Sequence, residues 1–272
     1  MAEMTPKMSL ATIERCPVPV YIGATRTWRG STGTGMDQQA HSLDNPIWTA
    51  LGTEQTHLGT GSQLARRYHP DVAPFAAMAS EDSSEAWAAL AQLMSAGEQV
   101  ALLSCDPLKP PARLCVQPAG TIHQMVATRR EARVVDDADI VMLHAADAAD
   151  MQALAAKTKP GPFRARTHEM GRYIGIRSHG RLIAMAGERM HLAGHVEISA
   201  VCVDEQWRGK GLAGRLVQAL EAQIWQRGES PFLHVLAHNA SAIALYERLG
   251  FRLRQQFQMT MAGLVAASED PA

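Results

Sequence analysis

The run VCVDEQWRGKGLAGRL, residues 201–216, has the makings of an anion site. An apolar strand leads into a turn holding Gly209 and Gly211, and the turn leads into a helix. A helix start leaves its first backbone N–H groups without intrahelical acceptors, at the positive end of the helix dipole. Glycines in the turn remove the Cβ atoms that would hold a ligand away from those amides, and Arg208 and Lys210 add positive charge. Phosphate is the ligand that suits such a site. The spacing is not that of a dinucleotide-binding fold, which needs a third glycine and a later acid for the ribose, nor that of a Walker loop. An ordinary strand-to-helix turn is the plainer alternative.

A second run, NASAIALYERLGF, covers residues 239–251. Asn239 is placed to cap a helix. Ala242 and Tyr246 fall on the helix face below it. A capping amide, a small residue and a phenol on one face could line a groove. The plainer alternative is that Tyr246 and Leu249 pack on a sheet.

These runs need a scaffold, and the composition supplies one. The chain has 272 residues, 46% hydrophobic, 19% charged and 5% aromatic, which excludes disordered, collagen-like and coiled-coil chains. The formal charge of -1 gives no reason to expect nucleic acid. No apolar run reaches membrane-spanning length, and the opening MAEMTPKMSL has no apolar signal core. No membrane partner and a cytoplasmic location are therefore expected. Cys16, Cys105, Cys115 and Cys202 form no CxxC pair and read as reduced thiols, although a Cys105–Cys115 bridge is sterically conceivable. The scattered histidines include no HExxH, so no metal is expected.

Residues 1–40 read as an arm or linker; their GSTGTG lacks the Lys-Ser/Thr ending of a phosphate loop. Residues 41–130 read as an N-terminal domain, helical at first and stranded later. DNPIWTALG carries a helix cap at Asp44 or Asn45. The cluster GSQLARRYHPDVAPFAAM reads as helical, broken by Pro70 and Pro74. SSEAWAALAQLMSAG is a helix running to Gly97; EQVALLSC, RLCVQ and TIHQMVAT are three strands. The charged stretch TRREARVVDDAD marks a boundary near residue 130. Residues 131–272 form the second domain: strand DIVMLHA, helix AADMQALAAKT, a hairpin of RYIGIRS and RLIAMAGERM, strand HVEISAVCV, an amphipathic helix from Leu212 to Gly228, strand PFLHVLA, helix NASAIALYERLG and strand FRLRQQFQMTM.

The stretch from Asp139 to Met261 resembles the GNAT acyltransferase superfamily, in particular the branch of glycine N-acyltransferase-like proteins built from two halves. QWRGKGLA is similar to the superfamily's pyrophosphate loop, Q/R-x-x-G-x-G/A. NASAIALYERLGF is similar to its second signature, N-x-x-A-x-x-x-Y followed by Gly-Phe. The resemblance implies an α/β fold with a mixed central sheet flanked by helices, the N-terminal half being a degenerate copy. It implies acetyl-CoA as co-substrate and no metal. The amides of Arg208, Gly209, Lys210, Gly211, Leu212 and Ala213 would hold the pyrophosphate. Backbone groups of Val201, Cys202 and Val203 would meet the pantetheine and the thioester. Asn239 and Ala242 would border the pantetheine, and Tyr246 would stand near the thioester sulfur as general acid. The implied reaction is attack by a small-molecule or amino-acid amine on the thioester in a ternary complex. A non-catalytic acyl-CoA-binding module is the alternative.

Glu197 is the base candidate, since it shares a strand face with His195, Ser199, Val201 and Val203 in strict alternation. A structural pair with an arginine or histidine is its plainer reading. His195 and Glu188 are lesser candidates. Cys202 points opposite Glu197 and reads as core rather than nucleophile. Arg164, Arg166 and His168 make the acceptor region basic, suiting an acceptor with a carboxylate, unless they are simply solvated. The oligomeric state is open, with a homodimer as one option.

Overall fold

The computed structural model describes residues 42–128 and 137–265. The expected arm over residues 1–40, Cys16, the GSTGTG run and the middle of the charged stretch lie outside the described residues. All described residues fall in one compact unit.

The chain runs from α1 (Pro46–Gly52) through three short strands, β1 (Gly59–Gly61), β2 (Ala65–Tyr68) and β3 (Ala76–Met78), to α2 (Ser84–Gln92), β4 (Gln99–Ser104) and β5 (Leu114–Ala127). Then come β6 (Ile140–Leu143), α3 (Ala148–Thr158), β7 (Tyr173–Ser178), β8 (Arg181–Leu192) and β9 (His195–Val203). The last elements are α4 (Leu212–Gln226), β10 (Ser230–Leu236), α5 (Ala240–Arg248) and β11 (Phe251–Leu264). Strands β1 to β3 make a small antiparallel sheet. The other eight form one sheet in the order β4-β11-β5-β10-β9-β8-β7-β6. Every neighbouring pair in it is antiparallel except β9 and β10. A parallel pair needs a long crossover, and α4 is that crossover.

α4 is helical for legible reasons. Leu212, Leu216, Val217, Leu220 and Ile224 are buried on one face, each worth about 1.5–3 kcal/mol relative to exposure, and Gly228 follows the end. That face packs with Tyr246 of α5 against Val196, Ile198, Leu233 and Phe251 of the sheet. On the opposite face of the sheet, α3 packs Met151 and Leu154 against Tyr173, Met185 and Cys202. There α1 and Tyr68 of β2 cover Met190, Leu192 and Phe232.

The mixed sheet flanked by helices is the expected fold class. Three details differ from expectation. GSQLARRYHPDVAPFAAM forms β2 and β3, not a helix, because Pro70 and Pro74 confine it to short extended pieces joined by a turn. RLCVQ and TIHQMVAT are one strand, β5. Pro118 is accommodated where a register shift against β11 disrupts the ladder, between Gly120↔Met259 and Pro118↔Thr260. α2 stops at Gln92, short of Gly97. The sheet also runs across position 130: β5 lies between β11 and β10, and β4 pairs with β11. The segment before residue 130 thus contributes two strands, β4 and β5, to the same sheet as the segment after it. Among the described residues no helix is long and apolar enough to cross a membrane.

β7 and β8 approach closely at one point. Tyr173 pairs with Gly187, and a Cβ at residue 187 would sit 2.2 Å from the Tyr173 ring. The ring is buried and braced edge-on by Phe163, with centroids 5.7 Å apart, so it cannot retreat. Gly187→Ala should destabilise the fold by about 1–3 kcal/mol through overpacking, read as a lower midpoint in a thermal melt.

Candidate functional site

β9 and β10 pair only over Ser230↔His195, Pro231↔Val196 and Phe232↔Glu197. Beyond that point β10 stays with β5 as far as Leu236↔Ile122, and β9 stays with β8 as far as Ala184↔Val203. The two strands part, and their facing backbone groups have no strand between them. Such edges must find partners elsewhere, and an extended ligand can supply them.

β9 carries a bulge where it leaves β10. Gly187↔Ser199 is followed by Met185↔Cys202, so β9 has one extra residue there. Ala200 takes it up at φ 52, a left-handed conformation that costs a non-glycine residue about 1–2 kcal/mol. The bulge reverses the alternation of side chains. Val196 and Ile198 face α4, and after the bulge so do Val201 and Val203, while Ala200 and Cys202 face α3. Glu197 therefore does not share a face with Val201 and Val203 as strict alternation predicts. Cys202 lies on the Glu197 side instead of opposite it.

The loop after β9 begins with a 3-10 turn over Glu205–Trp207. Gly209 and Gly211 both adopt left-handed φ, 76 and 77, and Gly211 caps α4. A Cβ at either would meet nothing within 4 Å. Glycine is required there by backbone conformation, and the space beside it is left open. Among the described residues the amides from Gly209 to Gly214, including those of Lys210, Leu212 and Ala213, meet no protein acceptor, whereas the Arg208 amide, expected among them, donates to the Glu205 carbonyl at 3.2 Å. The Lys210 ammonium lies 4.2 Å over the Trp207 ring, and the exposed Arg208 is 3.7 Å from Glu205. Leu212 turns its side chain into the core, so only its amide faces the loop.

α5 stands on the same side of the sheet as α4. Asn239 caps it, its Oδ1 accepting from the Ala242 amide at 3.2 Å and from Ser241 Oγ at 3.1 Å. Ala242 and Tyr246 pack into the α4 core. Burial pushes the Tyr246 phenol up to about 12, so it keeps its proton at neutral pH. No protein group among the described residues bonds its hydroxyl. The structure thus gathers the loop, the open strand gap, Ala242 and Tyr246 on one face.

Glu197 is on the other face and fully buried. Its carboxylate accepts from both Arg189 Nε (2.8 Å) and Arg189 Nη2, and from His234 Nδ1 at 2.8 Å. Gln124 fixes the ring. Its Oε1 accepts from Arg254 and its Nε2 donates to the Leu43 carbonyl and to His234 Nε2, so the ring proton sits on Nδ1. Burial alone would raise the Glu197 pKa, but Arg189 and His234 overcome it and hold the carboxyl down to about 2. A carboxylate so bound is a poor base near neutral pH, and the geometry is that of the structural pair. Arg189 and His234 were not singled out from the sequence; a buried acid on one strand facing an arginine on the next was the available signal.

His195 is buried with Nδ1 unpartnered, at the closed end of β9, and burial lowers its pKa. Glu188 is buried and paired with Arg227 at 2.7 Å. Burial pushes the Cys202 thiol up to about 11, which keeps it protonated. Arg166 pairs with Glu169. Arg164 is exposed beside a cleft of about 360 Å³ that Arg67 and Glu98 also line. His168 leaves Nδ1 buried without a partner. Among the described residues no group of three or more His, Cys, Asp or Glu side chains could hold a metal.

The FR47-like protein family model matches residues 173–259, from β7 through most of β11. A crystal structure from Novosphingobium aromaticivorans, assigned as a GNAT-family acetyltransferase, is 40% identical to this chain. It superposes with a TM-score of 0.77 over 83% of this chain and 100% of its own. The chain belongs to the GNAT family. Two curated relatives match shorter pieces. N-alpha-acetyltransferase RimI of Mycobacterium tuberculosis is 34% identical over 83 residues, 29% of this chain and 51% of RimI. The uncharacterized N-acetyltransferase YdgE of Bacillus subtilis is 41% identical over 58 residues, 19% of this chain and 37% of YdgE. The chain thus spans about half the length of these curated relatives or less.

In this GNAT chain Glu197 carries a stability prediction. Glu197→Gln leaves Arg189 buried without its counter-charge and should cost about 3–5 kcal/mol at pH 7. The folded pKa is depressed from 4.5 to about 2. The charge therefore contributes fully above about pH 4.5, and its contribution fades as pH falls toward 2. Urea melts at pH 7 and pH 3 check this, with a gap between wild type and variant that narrows at pH 3.

Proposed function

We propose that the protein is an N-acetyltransferase that takes the acyl group of acetyl-CoA and passes it to the amine of a small molecule or amino acid. The observation that carries this reading is the row of free amides from Gly209 to Gly214 at the mouth of the β9–β10 gap. Six unpaired amides at a helix N-terminus suit a diphosphate, and the gap suits an extended amide-bearing arm such as pantetheine. The open space beside Gly209 and Gly211 fits the same ligand. RimI's name makes an alpha-amine the first acceptor to try. Kinship with the two-half glycine N-acyltransferase-like branch rests only on the helix-then-strand order before residue 130.

In this reading the amine attacks the thioester carbonyl while both reactants are held in the gap, and proximity supplies much of the rate. Backbone N–H groups at the β9 bulge, around Val201 to Val203, stabilise the developing oxyanion. Tyr246 protonates the departing thiolate, and the proton that the amine gives up to water returns the phenolate to the phenol. Glu197 takes no proton, because its lone pairs are engaged by Arg189 and His234; the amine loses its proton to water.

Two outcomes test the reading. Gly211→Asp should abolish acetyl-CoA binding in calorimetry, since a carboxylate would enter the anion site and a side chain would strain a left-handed residue. Tyr246→Phe should lower kcat by roughly 10²-fold and leave acetyl-CoA affinity nearly unchanged, because the hydroxyl acts as charge develops on sulfur. Steady-state kinetics at saturating substrates reads the second; wild-type kcat in that variant would make Tyr246 a packing residue.

A further inference from the structure

Asp204 ends β9 and opens the loop, and its carboxylate is buried at 3% exposure. Oδ2 accepts from Lys157 Nζ and from Arg181 Nη2, both at 2.9 Å. Lys157 lies in the last turn of α3, and Arg181 is the first residue of β8. Oδ1 accepts from the Gln206 amide at 3.3 Å and so caps the turn over Glu205–Trp207. The Asp204 backbone is fixed too: its N–H donates to the Ile183 carbonyl at 2.8 Å, and its carbonyl accepts from Trp207 N–H at 2.8 Å. The remaining charged side chains of the loop are engaged within it, Arg208 with Glu205 and Lys210 over Trp207. Among the described residues Asp204 is the one charged side chain that ties the loop to elements outside it.

We propose that Asp204 is a positioning residue for the CoA diphosphate, setting the place of the Gly209–Gly214 amides by pinning the start of the loop to α3 and β8. The inference rests on the reading of that loop as the diphosphate site. A carboxylate near an anion site is a liability on charge alone, since it repels the ligand. Lys157 and Arg181 turn the local sum from negative to positive, so the carboxylate can anchor the loop without that penalty. Amides that must converge on one anion lose affinity when their frame drifts by a fraction of an ångström.

This gives opposite signs for two explanations. If Asp204 acted on CoA only through its charge, Asp204→Asn would tighten binding, because a negative charge is lost. If it positions the loop, Asp204→Asn weakens binding although the site has become more positive. Calorimetric titration of the full chain with CoA should show a loss of about tenfold or more for Asp204→Asn, the size expected when a buried charged hydrogen bond is removed. The backbone N–H resonances of Gly209 and Gly211 should move in the ligand-free variant. Arg181→Met, at a largely exposed side chain, should fold normally and weaken CoA by a smaller factor, and the two losses should not add in the double variant. Unchanged or tighter CoA binding by folded Asp204→Asn overturns the proposal. If that variant does not fold, CoA affinity unchanged in Lys157→Met/Arg181→Met overturns it. Wild-type protein that fails to bind CoA overturns the diphosphate reading itself, and this proposal with it.

Discussion

A charge buried at the point where two strands separate has to be matched there, and the match holds the strands. Glu197 on β9 is bound by Arg189 on β8 and by His234 on β10. The three side chains cross-link three adjacent strands at the last pair before the gap, Phe232↔Glu197. A buried ion pair is a weak source of net stability compared with apolar packing, yet breaking one is costly. Its effect is therefore on geometry more than on stability. The opening cannot creep toward the closed end without unpairing a charge. The clamp extends on one side through Gln124 to Arg254 and Asp44. On the other side the backbone carbonyl of Arg189 accepts from Gln55, which in turn accepts from Tyr68. The layer before residue 130 is thus bonded to two of these strands, β8 through Gln55 and β10 through Gln124.

From that fixed point the two faces of the sheet diverge in character. The bulge at Ala200 turns Val201 and Val203 toward α4, where the glycine loop and Tyr246 also stand. The opposite face is closed by α1, β2 and α3 and holds the ion network. Alternation alone would have put the carboxylate and the loop-side valines together. One residue in a left-handed conformation separates them, and with them the anion-binding and charge-clamping tasks.

Much of the second half was legible because its signals are local. α4 has a strong apolar stripe and a terminal glycine, α5 has Asn239 as cap, and the hairpin of β7 and β8 turns at His179-Gly180. Each can be read within about a dozen residues. The bulge was not legible, since an alanine at positive φ carries no compositional mark. The partners of Glu197 were missed because pairing across strands depends on register, and the register of β8 and β9 shifts twice. The strands before residue 90 were missed because they are short and mostly buried, so neither alternation nor helical spacing shows. Asp204 sat in full view beside the loop motif, but its two cations come from residues 157 and 181.

The placement of β5 between β10 and β11 bears on how the chain reaches its native state. β5, an interior strand, is synthesised about a hundred residues before either of its neighbours, β10 and β11. Contacts so distant along the chain are slow to form, because loop closure must precede any gain from pairing. During synthesis β5 and β4 emerge long before the strands that cover their edges, and unpaired edges invite association with other chains. Pro118 and the polar residues Gln117, Thr121, His123 and Gln124 on β5 blunt that hazard while the strand waits. The pairing of β4 and β5 into one sheet is thus completed only when β11 arrives to lie between them.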